Sequence, residues 1–226
     1  TTNWQNSLGD KLKGQPPFSF LPTKELNLWI KNSRRVRYRM GDQLLRDDEI
    51  NNDLILVLEG EVRLIAYGDE QEGAFSLDKR GAGQIVGWAS LLRGAPTELV
   101  QASTEVFALM LPGKDFIRFV QNIPEFANHF GRLSNLHESY SISIKAAELQ
   151  PKRPAGWRTD LVKRVMQAKT FSLLDEEPLK KLPSLPEGWS WHLSTPYIPG
   201  IPVGTTLKIS QDILPKRKGF QLPNRF

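Results

Sequence analysis

Hydrophobic positions change their spacing several times along the chain, and each change marks an element. In PFSFLPTKELNLWIKNS, Leu26, Trp29 and Ile30 recur at helical spacing behind Thr23, a residue type that caps helix N-termini. This predicts a short amphipathic helix ending near Asn32. Residues 1–17 ahead of it are polar, close on Pro16-Pro17 and read as a loose arm. A period of two follows, with Val36, Tyr38 and Met40 alternating up to the turn signal Gly41-Asp42. On such a strand Arg34, Arg35, Arg37 and Arg39 read as a solvated outer face. LILVLEGEVRLIA holds two β-rich runs broken at Glu59-Gly60-Glu61, where a glycine inside strand pattern signals a bulge or tight bend. Tyr67–Gly73 is a polar hairpin tip, AFSLDKRGAGQIVG returns as a strand, and Leu99–Leu111 alternates again. Short strands at roughly ten-residue intervals predict an antiparallel barrel or sandwich.

Between the last two strand zones lies GAGQIVGWASLLRGAPTELVQAST, residues 81–104. Its glycines Gly81, Gly83 and Gly87 admit backbone conformations closed to other residues. Trp88–Arg93 has room for about one and a half helical turns. The first N–H groups of such a turn lack internal partners and form a natural anion cradle. A phosphate site and a tight β-corner without ligand both fit these residues.

After Leu111 the period becomes helical. Phe116, Phe119 and Val120 form one apolar stripe, Pro124 breaks it, and Phe126, Phe130, Leu133 and Leu136 continue it in a second helix. This spacing is that of core packing. TDLVKRVMQAKTFSLL predicts a further helix with Thr159 as N-cap and Leu161, Val162, Val165 and Met166 buried. WSWHLS and TTLKIS read as two short strands, KRKGF near the end is a basic cluster, and the stretch as a whole reads as a solvated linker toward another domain.

Charge and proline sharpen that boundary. The formal net charge is +5, but residues 151–226 hold 13 Lys and Arg against 6 Asp and Glu, and ten of the sixteen prolines. We therefore divide the chain into an arm (1–17), a domain (18–150) and a basic, proline-rich extension or connector (151–226). No apolar run approaches the ~20 residues of a membrane span, and no signal peptide opens the chain. A start at Thr1 without methionine suggests a fragment.

Candidate chemistry is sparse. There is no cysteine, so disulfides, thiolate metal sites and cysteine nucleophiles are excluded. His129, His137 and His192 fall on different elements without a ligand-spaced carboxylate partner, and no metal site is expected. No G-x-S-x-G is present, Gly81-x-Gly83-x-x-x-Gly87 misses the dinucleotide fingerprint by one position, and Gly113-Lys114 lacks the upstream glycine of a P-loop. Asp47, Asp48 and Glu49 sit at a strand end and read as a turn. These features predict a protein that is not an enzyme, with no catalytic residues and no cofactor.

The order of elements, with MGDQLLRDDE, LILVLEGEVRLIA, GQIVGWASLLRG and ASTEVFALMLPGKDFIRFV, resembles the cyclic-nucleotide-binding domain superfamily over roughly residues 18–145. The resemblance implies an α+β, mainly β fold: an antiparallel double-stranded β-helix, jelly-roll-like, with flanking helices and, here, a proline-rich C-terminal extension. Family members carry a phosphate-binding cassette, G-E-x-A-L followed by R-[TS]-A, in which the glutamate binds the ribose and the arginine pairs with the cyclic phosphate. Carried over, the cassette comprises Gly87, Trp88, Ala89, Ser90, Arg93, Pro96 and Thr97. Gly87 matches the first glycine, and Ser90 and Leu91 approximate the A-L pair. Trp88 stands in place of the glutamate, and Pro96 or Thr97 in place of the arginine. Removing one charged partner from a buried ion costs about 2–5 kcal/mol, and each ~1.4 kcal/mol is tenfold in affinity. The expectation is therefore a degenerate site with weak or no cAMP binding, Arg93 being the nearest substitute cation.

A narrower resemblance connects GWASLLRGAPTELVQASTEV to the N-terminal cytoplasmic region of peptidase-containing ABC exporters from cyanobacteria, and PSLPEGWSWHLSTPYIPGIPVGTTLKI to the connector before their peptidase domain. It implies a regulatory or interaction module, cytoplasmic at the inner face of the membrane, whose partners are the other domains of an exporter. A homodimer through helices of residues 115–145 is open. Two alternatives stand beside it: a catabolite-activator-like DNA-binding regulator, which the prolines from Pro178 to Pro215 disfavour, and an intact cAMP or cGMP sensor.

Overall fold

The computed structural model describes residues 3–68, 73–149, 152, 157–210, 212–218 and 222–226. The chain opens with α1 (Asn3–Leu12), a 3-10 turn at Phe18–Phe20 and α2 (Thr23–Lys31). The barrel strands follow: β1 (Arg34–Tyr38), β2 (Gln43–Leu45), β3 (Asp53–Glu59), β4 (Val62–Tyr67), β5 (Ala74–Arg80) and β6 (Ile85–Val86). Then come the short helix α3 (Trp88–Arg93) and the strands β7 (Val100–Ala102) and β8 (Val106–Pro112). Three helices, α4 (Gly113–Asn122), α5 (Pro124–Arg132) and α6 (Leu136–Glu148), precede α7 (Trp157–Val165). Among the described residues, four two-residue strands end the chain: β9 (Ser172–Leu173), β10 (Trp191–His192), β11 (Thr206–Leu207) and β12 (Asn224–Arg225).

Two antiparallel four-stranded sheets, ordered β1-β8-β3-β6 and β2-β7-β4-β5, face each other as a jelly-roll. The run DLILVLE explains how the first sheet is clothed. Ile55 and Val57 point into the barrel with Val62, Leu64 and Val100, whereas Leu54 and Leu56 point outward against the helices with Leu109 and Leu111. A strand buried on both faces reads as a continuous apolar run rather than an alternation. Gly60, at φ +88°, turns the chain from β3 into β4, and a Cβ there would lie 2.1 Å from the Glu105 carbonyl oxygen. The β3–β8 register slips beside it, between Val57 and Glu59, as a bulge does.

The predicted helix stripe is spent on this barrel as far as Phe130; Leu133 is exposed past the end of α5 and Leu136 opens α6, so the stripe does not run on in one second helix. Phe116, Phe119, Phe126 and Phe130 are buried and meet one another largely edge to face, with Trp29 against Phe119. Pro124 opens α5 at a position where its missing N–H is harmless. Arg34, Arg35, Arg37 and Arg39 are exposed, as the alternation predicts.

Several expectations are corrected. Residues 3–12 are helix, not loose arm, because Trp4, Leu8 and Leu12 share a face that packs on the helix-side core; Thr1 and Thr2 lie outside the described residues. The N-cap of α2 is Pro22, one residue before Thr23. Met40 is exposed, since β1 ends at Tyr38. Met166 is exposed because α7 ends at Val165, and the Thr159 side chain lies outside the described residues. Residues 171–226 are not a solvated linker. Leu173, Leu182, Trp191, Leu193, Ile198, Leu214 and Phe226 form a core of their own. The two expected strands pair antiparallel, Trp191 with Leu207 and His192 with Thr206, and β12 pairs with β9. Gly219 and Phe220 of the basic cluster, and residues 69–72 of the hairpin tip, lie outside the described residues.

Candidate functional site

The loop before α3 turns on Gly87, at φ +93°. The Asn51 side-chain amide donates to the Gly87 carbonyl (2.9 Å) and to that of Asp53 (2.7 Å), so a Cβ at 87 would meet Asn51 Nδ2 at 2.8 Å. This aims the first amides of α3 inward, as expected of a cradle. The chain itself fills it with a carboxyl group. The Gly87 N–H donates to Glu98 Oε1 (3.1 Å), and the Ala89 and Ser90 N–H groups donate to Glu98 Oε2 (3.1 and 3.4 Å). Asn135 Nδ2 adds a fourth donor at 3.2 Å, while its Oδ1 caps α6 through the Glu138 N–H. Glu98 is 2% exposed. Burial pushes its carboxyl up from the ordinary value, opposed by the donors from Gly87, Ser90, Asn135 and Ala89.

A second buried group of charges adjoins the first. Arg93 Nη1 donates to Thr97 Oγ1 (2.9 Å), and Nε and Nη2 donate to the Ser194 carbonyl (3.2 and 3.0 Å). Its Nε lies 3.9 Å from Glu138 Oε1. Glu138 receives a fork from Arg225, Nε to Oε1 at 2.9 Å and Nη2 to Oε2 at 2.8 Å, and a hydroxyl hydrogen bond from Ser194 at 2.5 Å. Arg225 spends its remaining donors on the Phe130 and Leu133 carbonyls (2.7 and 3.0 Å). Burial alone would raise the Glu138 carboxyl; Arg225, with help from Arg93 and Ser194, outweighs it and holds the group below its usual range. The Tyr197 hydroxyl donates to the Leu92 carbonyl (3.0 Å), and burial pushes that phenol up to about 12.

The cassette residues thus separate by role. Gly87, Ala89 and Ser90 gather round Glu98, with Ser90 Oγ buried and without a partner among the described residues. Trp88 turns away from the barrel interior: its ring meets Phe130 edge to face at 5.3 Å and lies under the Arg225 guanidinium at 5.3 Å. Pro96 is exposed on the loop, and Thr97 is buried beside Arg93. Arg93 is held by the C-terminal segment rather than aimed at an incoming anion. Glu98, Asn135, Glu138, Ser194, Tyr197 and Arg225 were not foreseen. For Glu98 a signal existed: a lone acidic residue opening the apolar run Leu99-Val100, one residue after the position where the family's arginine is expected. The histidines are engaged locally: His129 against Phe20 and Phe130, His137 on the Ile65 carbonyl, His192 between Ser190 and Gly204.

Against this geometry, comparisons with known proteins place the barrel. Residues 35–123 match the family model of the cyclic nucleotide-binding domain. That match runs from β1 through α4 and contains the whole cassette. Among solved structures, a mutant of the regulatory subunit of a cAMP-independent protein kinase A from Trypanosoma brucei, bound to cAMP in its A site, aligns with a TM-score of 0.52 and 21% identity. The alignment covers 62% of this chain and 51% of that one. The sensor domain of the transcriptional regulator DNR from Pseudomonas aeruginosa aligns with a TM-score of 0.51 and 16% identity, covering 67% of this chain and 98% of that one. These likenesses establish the fold of the domain. No curated protein matches the chain. Among the described residues, no helix is long and apolar enough to cross a membrane.

Proposed function

We propose that this chain is a non-catalytic regulatory or interaction module in which the cyclic-nucleotide site has been given over to internal contacts. One observation carries the reading: the Glu98 carboxylate lies on the Gly87, Ala89 and Ser90 amides, the donors that a phosphate would need. A nucleotide phosphate entering there would have to expel a buried carboxylate and meet Thr97 where the family presents arginine. Arg93 offers no relief, because its donors are held by Thr97 and Ser194.

The resemblance to exporter N-terminal regions gives the setting we favour: the cytoplasmic part of an ABC-type exporter, working through contacts with that protein's other domains. A DNA-binding regulator fits less well. The described residues after 150 hold one α-helix, α7, followed by short strands, whereas a helix-turn-helix needs two consecutive helices.

Calorimetric titration with cAMP, cGMP and cyclic dinucleotides tests the reading. The expected result is no heat up to millimolar ligand for the wild type. The variant Thr97→Arg/Glu98→Ala, which supplies the family's arginine and empties the cradle, is expected to gain binding. Micromolar binding by the wild type would overturn the proposal and make the chain an intact sensor.

A further inference from the structure

We infer that a second ligand site, separate from the cassette, lies in the cleft between α6, α7 and the segment 185–192, and that it takes a small planar aromatic anion. The cleft measures about 800 Å³, within the range of roughly 300–1,000 Å³ typical of small-molecule sites. Three indoles line it: Trp157 from α7, and Trp189 and Trp191 from the opposite wall. Trp191 is anchored, its indole N–H donating to the Pro183 carbonyl at 3.0 Å. Trp189 is not; 41% of it stays exposed. A large flat side chain left half in water beside a cleft presents a stacking face that a planar ring would cover.

The charges on the cleft select the sign of the ligand. Arg164 and Lys169 line it, are exposed and make no ion pair among the described residues. Asp160, one helical turn before Arg164 on α7, is the carboxylate beside them. Glu138, at the inner end, is consumed by Arg225 and Ser194. Both ring nitrogens of His192 are engaged, with Ser190 and with the Gly204 carbonyl. Among the described lining side chains, Arg164 and Lys169 stand against Asp160, so the side chains of the rim are net positive. Aromatic walls and a cationic rim together fit a flat ring bearing a carboxylate, sulfonate or phosphate. The walls come from both the helices that follow the barrel and the C-terminal core, so the cleft exists only while that segment is docked. The inference is independent of whether the α3 cradle ever accepts a nucleotide.

The test uses the whole chain and two probes of similar shape, anionic 1-anilinonaphthalene-8-sulfonate and neutral N-phenyl-1-naphthylamine, followed by probe and tryptophan fluorescence. Saturable 1:1 binding of the anion is expected, weakened about tenfold or more by Arg164→Glu/Lys169→Glu, with the neutral probe unaffected by that change. Trp189→Ala, at an exposed position, is expected to weaken both probes while leaving the melting temperature unchanged. Ser143→Trp, which adds a bulky ring to the cleft lining, is expected to abolish both. Non-saturable binding, equal response of the two probes to charge reversal, or binding unchanged in Trp189→Ala would overturn the proposal. The Trp189 variant keeps the test decisive if Ser143→Trp does not fold.

Discussion

Replacing Glu138 by alanine would uncouple the C-terminal segment from the barrel. Glu138 and Arg225 have side chains 2% and 1% exposed, and the pair is bidentate. Alanine at 138 leaves two Arg225 donors and the Ser194 hydroxyl facing a void, and removes the nearest carboxylate to Arg93. Breaking a buried pair from one side costs about 3–5 kcal/mol, since the surviving charge remains desolvated. For a chain of this size each kcal/mol lowers the melting temperature by roughly 2–4 °C, so a fall of about 10 °C is expected. Urea unfolding measures it, and limited trypsin digestion reads the local effect as faster loss of residues 171–226. The double variant Glu138→Ala/Arg225→Met removes both charges and should be no less stable than Glu138→Ala alone, with a coupling energy of about 2–3 kcal/mol. The depressed Glu138 carboxyl fixes the pH dependence. Its contribution is complete above the ordinary carboxylate range, near ~4.3, and is lost as pH falls through its lower folded value. The wild-type advantage over Glu138→Ala should therefore shrink on acidification. Single variants that add within about 0.5 kcal/mol, or an advantage that grows in acid, would refute the argument.

Two further outcomes follow from the same geometry. Glu98→Ala strands three backbone donors and the Asn135 amide; with water recovering part of the loss, the cost should be about 2–4 kcal/mol by urea unfolding. Burial raises the Glu98 carboxyl, so the wild type loses stability as pH rises from the ordinary carboxylate range through the raised value, and its margin over Glu98→Ala should narrow in that direction. Gly60→Ala forces a Cβ against the Glu105 carbonyl at φ +88°, and should cost about 1–3 kcal/mol in melting or urea experiments, where an alanine at an unstrained site would gain a few tenths.

Much of the barrel was legible because its signals are local. Val36 and Tyr38 alternate, Gly60 interrupts a strand run, and Trp88–Arg93 is framed by glycines; each feature is decided within a few residues. The cassette helix falls at its expected limits for that reason. What the cassette does was not legible, because the deciding partners are remote. Arg93 is occupied by Ser194, 101 positions away, and Glu138 by Arg225, 87 positions away. Proline density between Pro178 and Pro215 reads as linker by composition, yet Leu173, Trp191 and Phe226 bury one another across that span. The polar run at the N-terminus hid a helix because only Trp4, Leu8 and Leu12, spaced four apart, carry its apolar face.

The arginines of β1 have a consequence for assembly. Among the described residues this strand pairs with β8 alone and closes one end of its sheet. An open strand edge invites a neighbouring molecule to add a strand of its own, and sheets so extended grow into fibres. Arg34, Arg35 and Arg37 place three cations along that edge in five residues, partly balanced by Asp53 and Glu105 at its flanks. Two copies approaching edge to edge would bring like charges face to face. Edge-to-edge pairing of two copies would have to break these ion pairs or stack the remaining cations, which opposes strand addition at this edge.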